Sequence, residues 1–174
     1  RWHVGISVTV TLLMSTSSRP PGCQYLAMEL LSEDDVLLIR RRLAHSALAQ
    51  RAFGLEVPLY PDRFSSAVAR QSTGFGGFVK YDTVPLVAAT LFYGLCMNHS
   101  FDNGNKRTAL VTMLVFLDRN GHLLVDTTED DLYDLATGIA SHSMIDHRGD
   151  AEVELIANWI ADRVRPLVKG NRRM

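Results

Sequence analysis

Two long apolar stretches dominate the middle of the chain. The first follows a helix cap at Asp82 or Thr83 and runs to Met97. The second runs from about Asn105 and stops at Asn120-Gly121. Each is nearly continuous, yet shorter than the roughly 18 residues that a membrane span requires. The pattern therefore predicts a pair of buried core helices.

Shorter amphipathic stretches predict further helices on both sides of this pair. Ser32 and Asp35 have the spacing of a capping box, and apolar residues follow them with helical periodicity. The run 40–42 consists of three arginines, which favours a solvated helix face. Further helices are predicted over 61–70, from Thr127 to about 141, and from a cap at Asp150 through 168. The glycine-rich segment 71–81 indicates a loop or short hairpin, and 122–125 a short strand.

Length and composition agree with one globular domain. The chain has 174 residues, of which 47% are hydrophobic and 21% charged. The regular pattern begins near Met28, so the predicted domain covers 28–170. Residues 1–27 are interpreted as a tail or an N-terminal extension. A targeting peptide and an ordered part of the fold remain alternatives for them. The fold class is all-α, with one small β-hairpin.

The charge balance and the cysteines limit the possible partners. Eighteen basic residues face 19 acidic ones, for a net charge of −1. This balance argues against a broad surface for nucleic acid or an anionic membrane. Cys23 and Cys96 lack metal-ligand spacing, so we expect reduced thiols in a cytoplasmic protein.

The polar segment 99–107, HSFDNGNKR, joins the two apolar helices. The second helix begins at about Asn105, so its free backbone N–H groups point toward this segment. Gly104 allows a tight turn and a close approach to a ligand. Lys106 and Arg107 oppose the helix dipole, at a cost of about a few tenths of a kcal/mol each. They are thus poorly placed for stability and well placed to hold a polyphosphate.

This segment resembles the signature of the Fic/Doc (Fido) family, HxFx[D/E][G/A]N[G/K]R. The chain continues with Thr108-Ala109, and this continuation, together with Lys106, is similar to the Doc, or death-on-curing, branch. Fic-type adenylyltransferases usually carry Gly at the position of Lys106 and a second Arg at that of Leu110. The resemblance covers about 28–142 and implies a helical Fido domain, with the loop between two central helices.

The resemblance also implies a role for each residue of the motif. His99 matches the general base that takes a proton from the attacking hydroxyl of a target protein. Gly104 and Asn105 match the turn that binds phosphate oxygens. Lys106 and Arg107 match the residues that hold the phosphates of ATP. The implied reaction transfers a phosphate-containing group from ATP to a protein hydroxyl.

The chain departs from the family pattern at the metal ligand. The family usually has Asp or Glu at position 103, where it binds the Mg²⁺ that bridges the phosphates. Asn103 offers a carbonyl oxygen without a charge, so metal affinity should fall. Asp102 is a substitute candidate one residue earlier. Mg²⁺ is expected with the nucleotide, and its protein ligand stays open between these two residues.

The glycine-rich segment corresponds in order to the family's flap, which pairs with an extended segment of the target. The candidate docking residues are Gly76, Gly77, Phe78 and Val79. Many Fic proteins carry an inhibitory helix with [S/T]xxxE[G/N], but no Glu of this sequence precedes Gly or Asn. A cognate antitoxin in trans is therefore the expected partner.

Three functions follow from these observations. The first is a Doc-like toxin of a toxin–antitoxin module that phosphorylates a translation factor such as elongation factor Tu. The second is an adenylyltransferase of the Fic type, which transfers AMP instead. The third is a catalytically impaired module that binds a nucleotide or a partner, and Asn103 motivates it.

Overall fold

The two apolar stretches fold as a pair of central helices packed against each other. The computed structural model describes residues 28–45, 53–54, 56–76, 78–141 and 149–167. Within these ranges the helices are α1 (Glu33–His45), α2 (Pro61–Ala69), α3 (Val84–Met97), α4 (Asn105–Arg119), α5 (Glu129–Ala140) and α6 (Asp150–Arg163). The mostly helical class is thus confirmed. Residues 1–27 lie outside the described residues, so the domain boundary at 28 stays a prediction.

In the part of the chain that the structure describes, four short strands form two antiparallel pairs. Strands β1 (Gly74–Phe75) and β2 (Phe78–Val79) make the small hairpin. Strands β3 (His122–Leu124) and β4 (Val164–Pro166) pair beyond the C-terminal end of α4. The hairpin in the glycine-rich segment and the strand after Gly121 are both confirmed.

Helix α3 forms the centre of the core. Every residue from Val87 to Cys96 is buried, because α2, α4, α5 and α6 all pack against it. Burial raises the pKa of the Cys96 thiol to about 12, so this cysteine is a small core residue. None of the helices in the described ranges combines the length and apolar character that a membrane crossing requires.

Three helix ends, one of α5 and two of α6, differ slightly from the sequence prediction. The capping box of α5 uses Thr128 with Asp131, one residue later than expected from Thr127. The N-cap of α6 is Gly149, and Asp150 is the first helical residue rather than the cap. Helix α6 ends at Arg163 rather than at 168, because Val164–Pro166 pairs with β3 and the position before a proline disfavours helical backbone.

The start of α1 confirms the predicted capping box. The Ser32 backbone N–H donates to the Asp35 carboxylate, at 2.9 Å, and the Asp35 N–H donates to Ser32 Oγ, at 3.1 Å. Arg119, at the far end of α4, donates to the other Asp35 oxygen at 2.6 Å. Asp35 therefore links α1 to the central pair while it caps its own helix.

These contacts predict an acid-sensitive part of the stability. Burial alone would raise the pKa of Asp35, but the hydrogen bonds from Arg119 and Ser32 lower it to about 2, from 3.8. A carboxyl whose folded pKa is depressed stabilises the fold above its unfolded pKa and loses that contribution as the pH falls toward the folded value. We expect about 2 kcal/mol of unfolding free energy to be lost between about pH 4 and pH 2.

Urea unfolding at several pH values measures this loss. The variant Asp35→Asn should be less stable than wild type at pH 7, and its own unfolding free energy should change less across the acid range. An equally steep acid loss in the variant would assign the effect to other carboxyls.

Candidate active site

The segment 98–104 joins α3 to α4 and carries the first candidate residue, His99. This side chain is exposed, and its backbone φ of 46° lies in the left-handed region. Few residues other than glycine adopt this conformation, although His does so more readily than most. Such positions are held by their surroundings and occur often at functional sites.

Both neighbours of His99 are attached to the start of α2. The Asn98 side-chain amide donates to the Arg63 carbonyl at 2.9 Å. The Ser100 carbonyl accepts a hydrogen bond from the Tyr60 N–H at 3.1 Å. These two bonds hold the backbone on either side of His99, so the imidazole projects from a fixed point of the loop.

Phe101 anchors the loop in the core. Its ring is buried and meets Phe64 of α2 edge to face, with 5.5 Å between the ring centroids. The Asn105 side chain holds the same residue from the helix side. Asn105 Oδ1 accepts from the Phe101 N–H at 2.9 Å, and Nδ2 donates to the Phe101 carbonyl at 2.8 Å. The Asn105 side chain therefore closes the loop.

Gly104 forms the turn that opens α4. Its φ is 74°, and it is the N-cap residue of the helix. A Cβ at this position would lie 3.2 Å from the Phe53 ring and 3.3 Å from Arg40 Nη1. Glycine is favoured on both grounds, because another residue would be strained in its backbone and tightly packed against these two side chains.

Two of the candidate cations follow in the first turn of α4. Lys106 and Arg107 are both half-buried. The Arg107 guanidinium lies over the Phe53 ring, 4.6 Å from its centroid. Burial lowers the pKa of Arg107. A partly desolvated cation at the N-terminal end of a helix is well suited to bind an anion, since fewer waters must be displaced.

A third cation, Arg40 of α1, lies beneath this turn. The prediction of a solvated face for 40–42 is wrong for this residue, which is fully buried. Its guanidinium lies over the Phe101 ring at 3.8 Å. Nη2 donates to the Phe53 carbonyl at 3.1 Å, and Nη1 donates to Thr108 Oγ1 at 3.3 Å. These two acceptors pair with N–H groups of a side chain that would otherwise be costly to bury.

Asp102 and Asn103, the candidate metal ligands, have partners within the protein. Asp102 Oδ1 lies 3.5 Å from Arg40 Nη2 and accepts from the Asn103 N–H at 2.9 Å. Asn103 Oδ1 accepts from the Gly104 N–H at 2.7 Å. Over the described part of the chain, no group of three His, Cys, Asp or Glu residues is placed to hold a metal ion. A Mg²⁺ ion that is held mainly by the phosphates of a nucleotide needs only one or two protein oxygens, so Asp102 and Asn103 stay the candidate ligands.

The hairpin carries the remaining candidate residues. The side chains of Phe75 and Phe78 are 93% and 83% exposed, and Val79 is exposed beside them. Gly76 forms the turn with a φ of 59°, whereas Gly77 lies outside the described residues. In the described ranges β1 and β2 pair only with each other, so both outer edges are open.

The hairpin is tied to the N-terminal end of α6. Lys80 Nζ lies 2.7 Å from Asp150 Oδ2, and the Tyr81 hydroxyl donates to Asp150 Oδ1 at 3.3 Å. The hydrogen bond to Asp150 raises the pKa of Lys80, and the same bond lowers the pKa of Asp150. These contacts fix the position of the hairpin, and of its open edges, relative to α6.

The structure places the candidate residues 99–107 in one loop and helix turn. Sequence reasoning missed the supporting residues Arg40, Phe53 and Gly54. Gly54 lies so close to the Asp102 carboxylate that a Cβ would clash with it. The spacing of Arg40 with Val36, Ile39 and Leu43 is that of a buried helix face, so a signal for Arg40 was present. Residues 53–54 lie outside any periodic pattern, so the sequence contains no comparable signal for them.

Comparison with known proteins assigns the class of this chain. A model of the Fic/DOC family matches residues 30–117, which is half of the chain and includes α1 to α3, most of α4 and the loop between the central helices. The chain therefore belongs to the Fic/DOC family.

Two relatives are of the Doc type. The protein named Toxin Doc from Mycolicibacterium smegmatis is 33% identical over 114 residues, which cover 63% of this chain and 82% of the relative. The protein named Protein kinase doc from Escherichia phage P1 is 34% identical over 100 residues, covering 56% of this chain and 75% of that relative. The resemblance to the Doc branch is confirmed.

Proposed function

We propose that this protein is a Doc-like toxin that transfers a phosphate from ATP to a hydroxyl of a target protein. One observation carries the proposal: an exposed histidine and two cations are held in a single preorganised turn at the N-terminus of a buried helix. The names of the relatives, Toxin Doc and Protein kinase doc, support the same class of activity. The target oxygen would bond to the γ-phosphorus while the bond to the β,γ-bridging oxygen breaks, and ADP leaves.

His99 would act as the general base of this transfer. As the hydroxyl attacks, its proton passes to the imidazole, and phosphoprotein, ADP and a proton are the net products. A neutral imidazole has a ring nitrogen that can accept this proton and later release it to water. The bonds at Asn98 and Ser100 support the assignment, because a base must be held within reach of its proton.

The turn and the first residues of α4 would bind the triphosphate. Lys106 and Arg107 supply positive charge, and the helix N-terminus adds backbone N–H groups. Gly104 and Asn105 shape the turn that brings these groups together. Charge that develops on the phosphate oxygens during transfer would be stabilised by groups already in position.

The hairpin would dock the target. An extended peptide can add a strand to an open edge of β1 or β2, and main-chain hydrogen bonds then supply affinity. The exposed Phe75, Phe78 and Val79 offer apolar surface for the side chains of that peptide. Gly76 and Gly77 complete the flap as the sequence predicts it.

Mg²⁺ would enter with ATP as the counter-ion of the nucleotide. The phosphates would supply most of the ligands of this ion, and Asp102 or Asn103 would supply a further oxygen. ATP and Mg²⁺ together remain the proposed cofactors.

Transfer of AMP is the alternative reaction, in which the target oxygen bonds to the α-phosphorus and pyrophosphate leaves. Two positions favour phosphate over AMP. Lys106 stands where Fic-type adenylyltransferases usually have Gly, and Leu110, where they have a second Arg, is buried. A buried leucine cannot reach a phosphate, so one cation that would orient the nucleotide for attack at the α-phosphorus is missing.

Intact-mass analysis separates the two reactions and tests the proposal. Purified translation factors, elongation factor Tu first, are incubated with this protein and ATP. We expect a mass gain of one phosphate. A gain of one AMP would replace the phosphotransferase with an adenylyltransferase, and no gain on any translation factor would contradict the transfer.

The toxin assignment implies a partner and a place of action. A cognate antitoxin in trans would control the activity, and the name of the relative from M. smegmatis supports this. Because ATP and translation factors are cytoplasmic, the protein would act there.

A second candidate function is a module that binds a nucleotide or a partner without catalysis. The Asn103 side chain, which accepts from the Gly104 N–H, motivates it, since an uncharged ligand weakens metal chemistry. The variant His99→Ala distinguishes the binding module from the enzyme, because a binding module would keep its effect on growth when the base is removed.

A further inference from the structure

We propose that Arg40 and Asp102 form a pair that positions the active-site loop, and that Asp102 serves as the counter-ion of Arg40 rather than as a metal ligand. The inference rests on the proposed function, because the loop is assigned a role in transfer there. Arg40 acts through other residues and is therefore a positioning residue.

The contacts of Arg40 reach both ends of the loop. Near the beginning, its guanidinium lies against the Phe101 ring at 3.8 Å. At the end, Nη1 donates to Thr108 Oγ1 in the first turn of α4 and lies under Gly104. One planar side chain thus fixes the distance between Phe101 and Thr108, which bracket the turn.

Residues 53–54 also contact the pair, Phe53 through Arg40 and Gly54 through Asp102. The Phe53 carbonyl accepts from Arg40 Nη2, and the Phe53 ring contacts the guanidinium groups of both Arg40 and Arg107, with distances of 5.0 and 4.6 Å to its centroid. Each contact is a favourable cation–π interaction. The position of Arg107, a proposed phosphate ligand, depends in this way on Phe53.

The charge of Arg40 explains why Asp102 turns toward the protein. Burial lowers the pKa of Arg40 to about 10; Asp102 counteracts this effect, and Arg107 adds to it. The guanidinium is fully buried, so its charge requires a nearby anion. Asp102, with a side chain that is 37% exposed, supplies that anion at 3.5 Å. A carboxylate used in this way is a poor ligand for Mg²⁺.

Hydrogen exchange of the full chain tests the positioning directly and needs no activity. The variants are Arg40→Met, Asp102→Asn and the control Arg119→Met. Arg119 also joins α4 to α1, through Asp35, but lies at the far end of α4. We expect the first two variants to speed exchange of the amides of residues 101–105 about tenfold or more, while the control leaves them unchanged. If Arg40→Met does not fold, the exposed Asp102→Asn carries the test.

Kinetics with ATP and Mg²⁺ give the second measurement. Arg40→Met and Asp102→Asn should each lower kcat by about 10- to 100-fold, because small displacements of positioned groups have effects of this size. The Mg²⁺ concentration for half-maximal rate should not change in Asp102→Asn. Loss of a metal ligand would instead raise it by about tenfold or more.

Each outcome is decisive for one of the two proposals. Unchanged exchange in folded Arg40→Met, or a raised Mg²⁺ requirement in Asp102→Asn, would overturn the positioning pair. A wild-type protein without transfer activity would overturn the proposed function, and the exchange data would still decide the role of Arg40.

Discussion

Replacement of His99 by alanine should lower the rate of transfer to the target by about 10²- to 10⁴-fold, the usual contribution of a general base. The side chain is exposed at a loop, so the unfolding free energy should change by less than about 1 kcal/mol. Time courses of intact target mass measure the rate. Expression in bacteria measures growth arrest, which should disappear with His99→Ala.

Two further variants control this experiment. His99→Asn tolerates the positive φ at this position better than alanine does, and it also lacks a base, so it should be equally inactive. His122→Ala removes a histidine beyond the opposite end of α4, about 22 Å along the helix from its N-terminus. This variant should retain wild-type transfer. Equal growth arrest by wild type and His99→Ala would rule out catalysis by His99 as its cause and favour the binding module.

Substitution of Arg107 by glutamine should reduce transfer by about 10²- to 10³-fold, as loss of one preorganised donor to a charged group does in other enzymes. ATP affinity should fall as well, because a partly desolvated cation is removed from the turn. Stability should change little, by less than about 1 kcal/mol. The variant loses the contact with the Phe53 ring, but it also removes a charge that opposes the helix dipole.

Calorimetric titration with ATP and thermal unfolding test both parts of this prediction. Arg165→Gln is the matched control, because Arg165 is an exposed arginine on β4 and its side-chain hydrogen bonds reach only nearby carbonyls. Wild-type ATP affinity in Arg107→Gln would show that this side chain does not bind phosphate. A large loss of stability would instead assign Arg107 a structural role.

The sequence was most informative where local rules decide the structure. The capping box of Ser32 and Asp35, the turn at Gly104 and the end of α4 at Asn120 were all predicted, because each depends on residues within one helical turn. The central helices were predicted because long apolar runs of this length have few other ways to be buried. The roles of the loop residues came from the family motif and remain proposals.

Predictions failed where distant residues decide the structure. The pairing of Val164–Pro166 with β3 ends α6 early, and it joins segments about 40 residues apart. The run of three arginines at 40–42 favours a solvated face, although the neighbours of Arg40 mark the buried side of α1. Its burial depends on partners that lie 13 to 68 residues away in sequence, and no local pattern reveals them.

The contacts of Phe53 with Arg40 and Arg107 have a consequence for protein engineering. The nine residues 99–107 would not form the same site if they were moved alone onto another helical hairpin. Without a buried guanidinium beneath Gly104 and an aromatic ring beside it, the turn would lose the side chains packed against it. A working transplant would need residue 40 and residues 53–54 as well, each presented from its own part of a host fold.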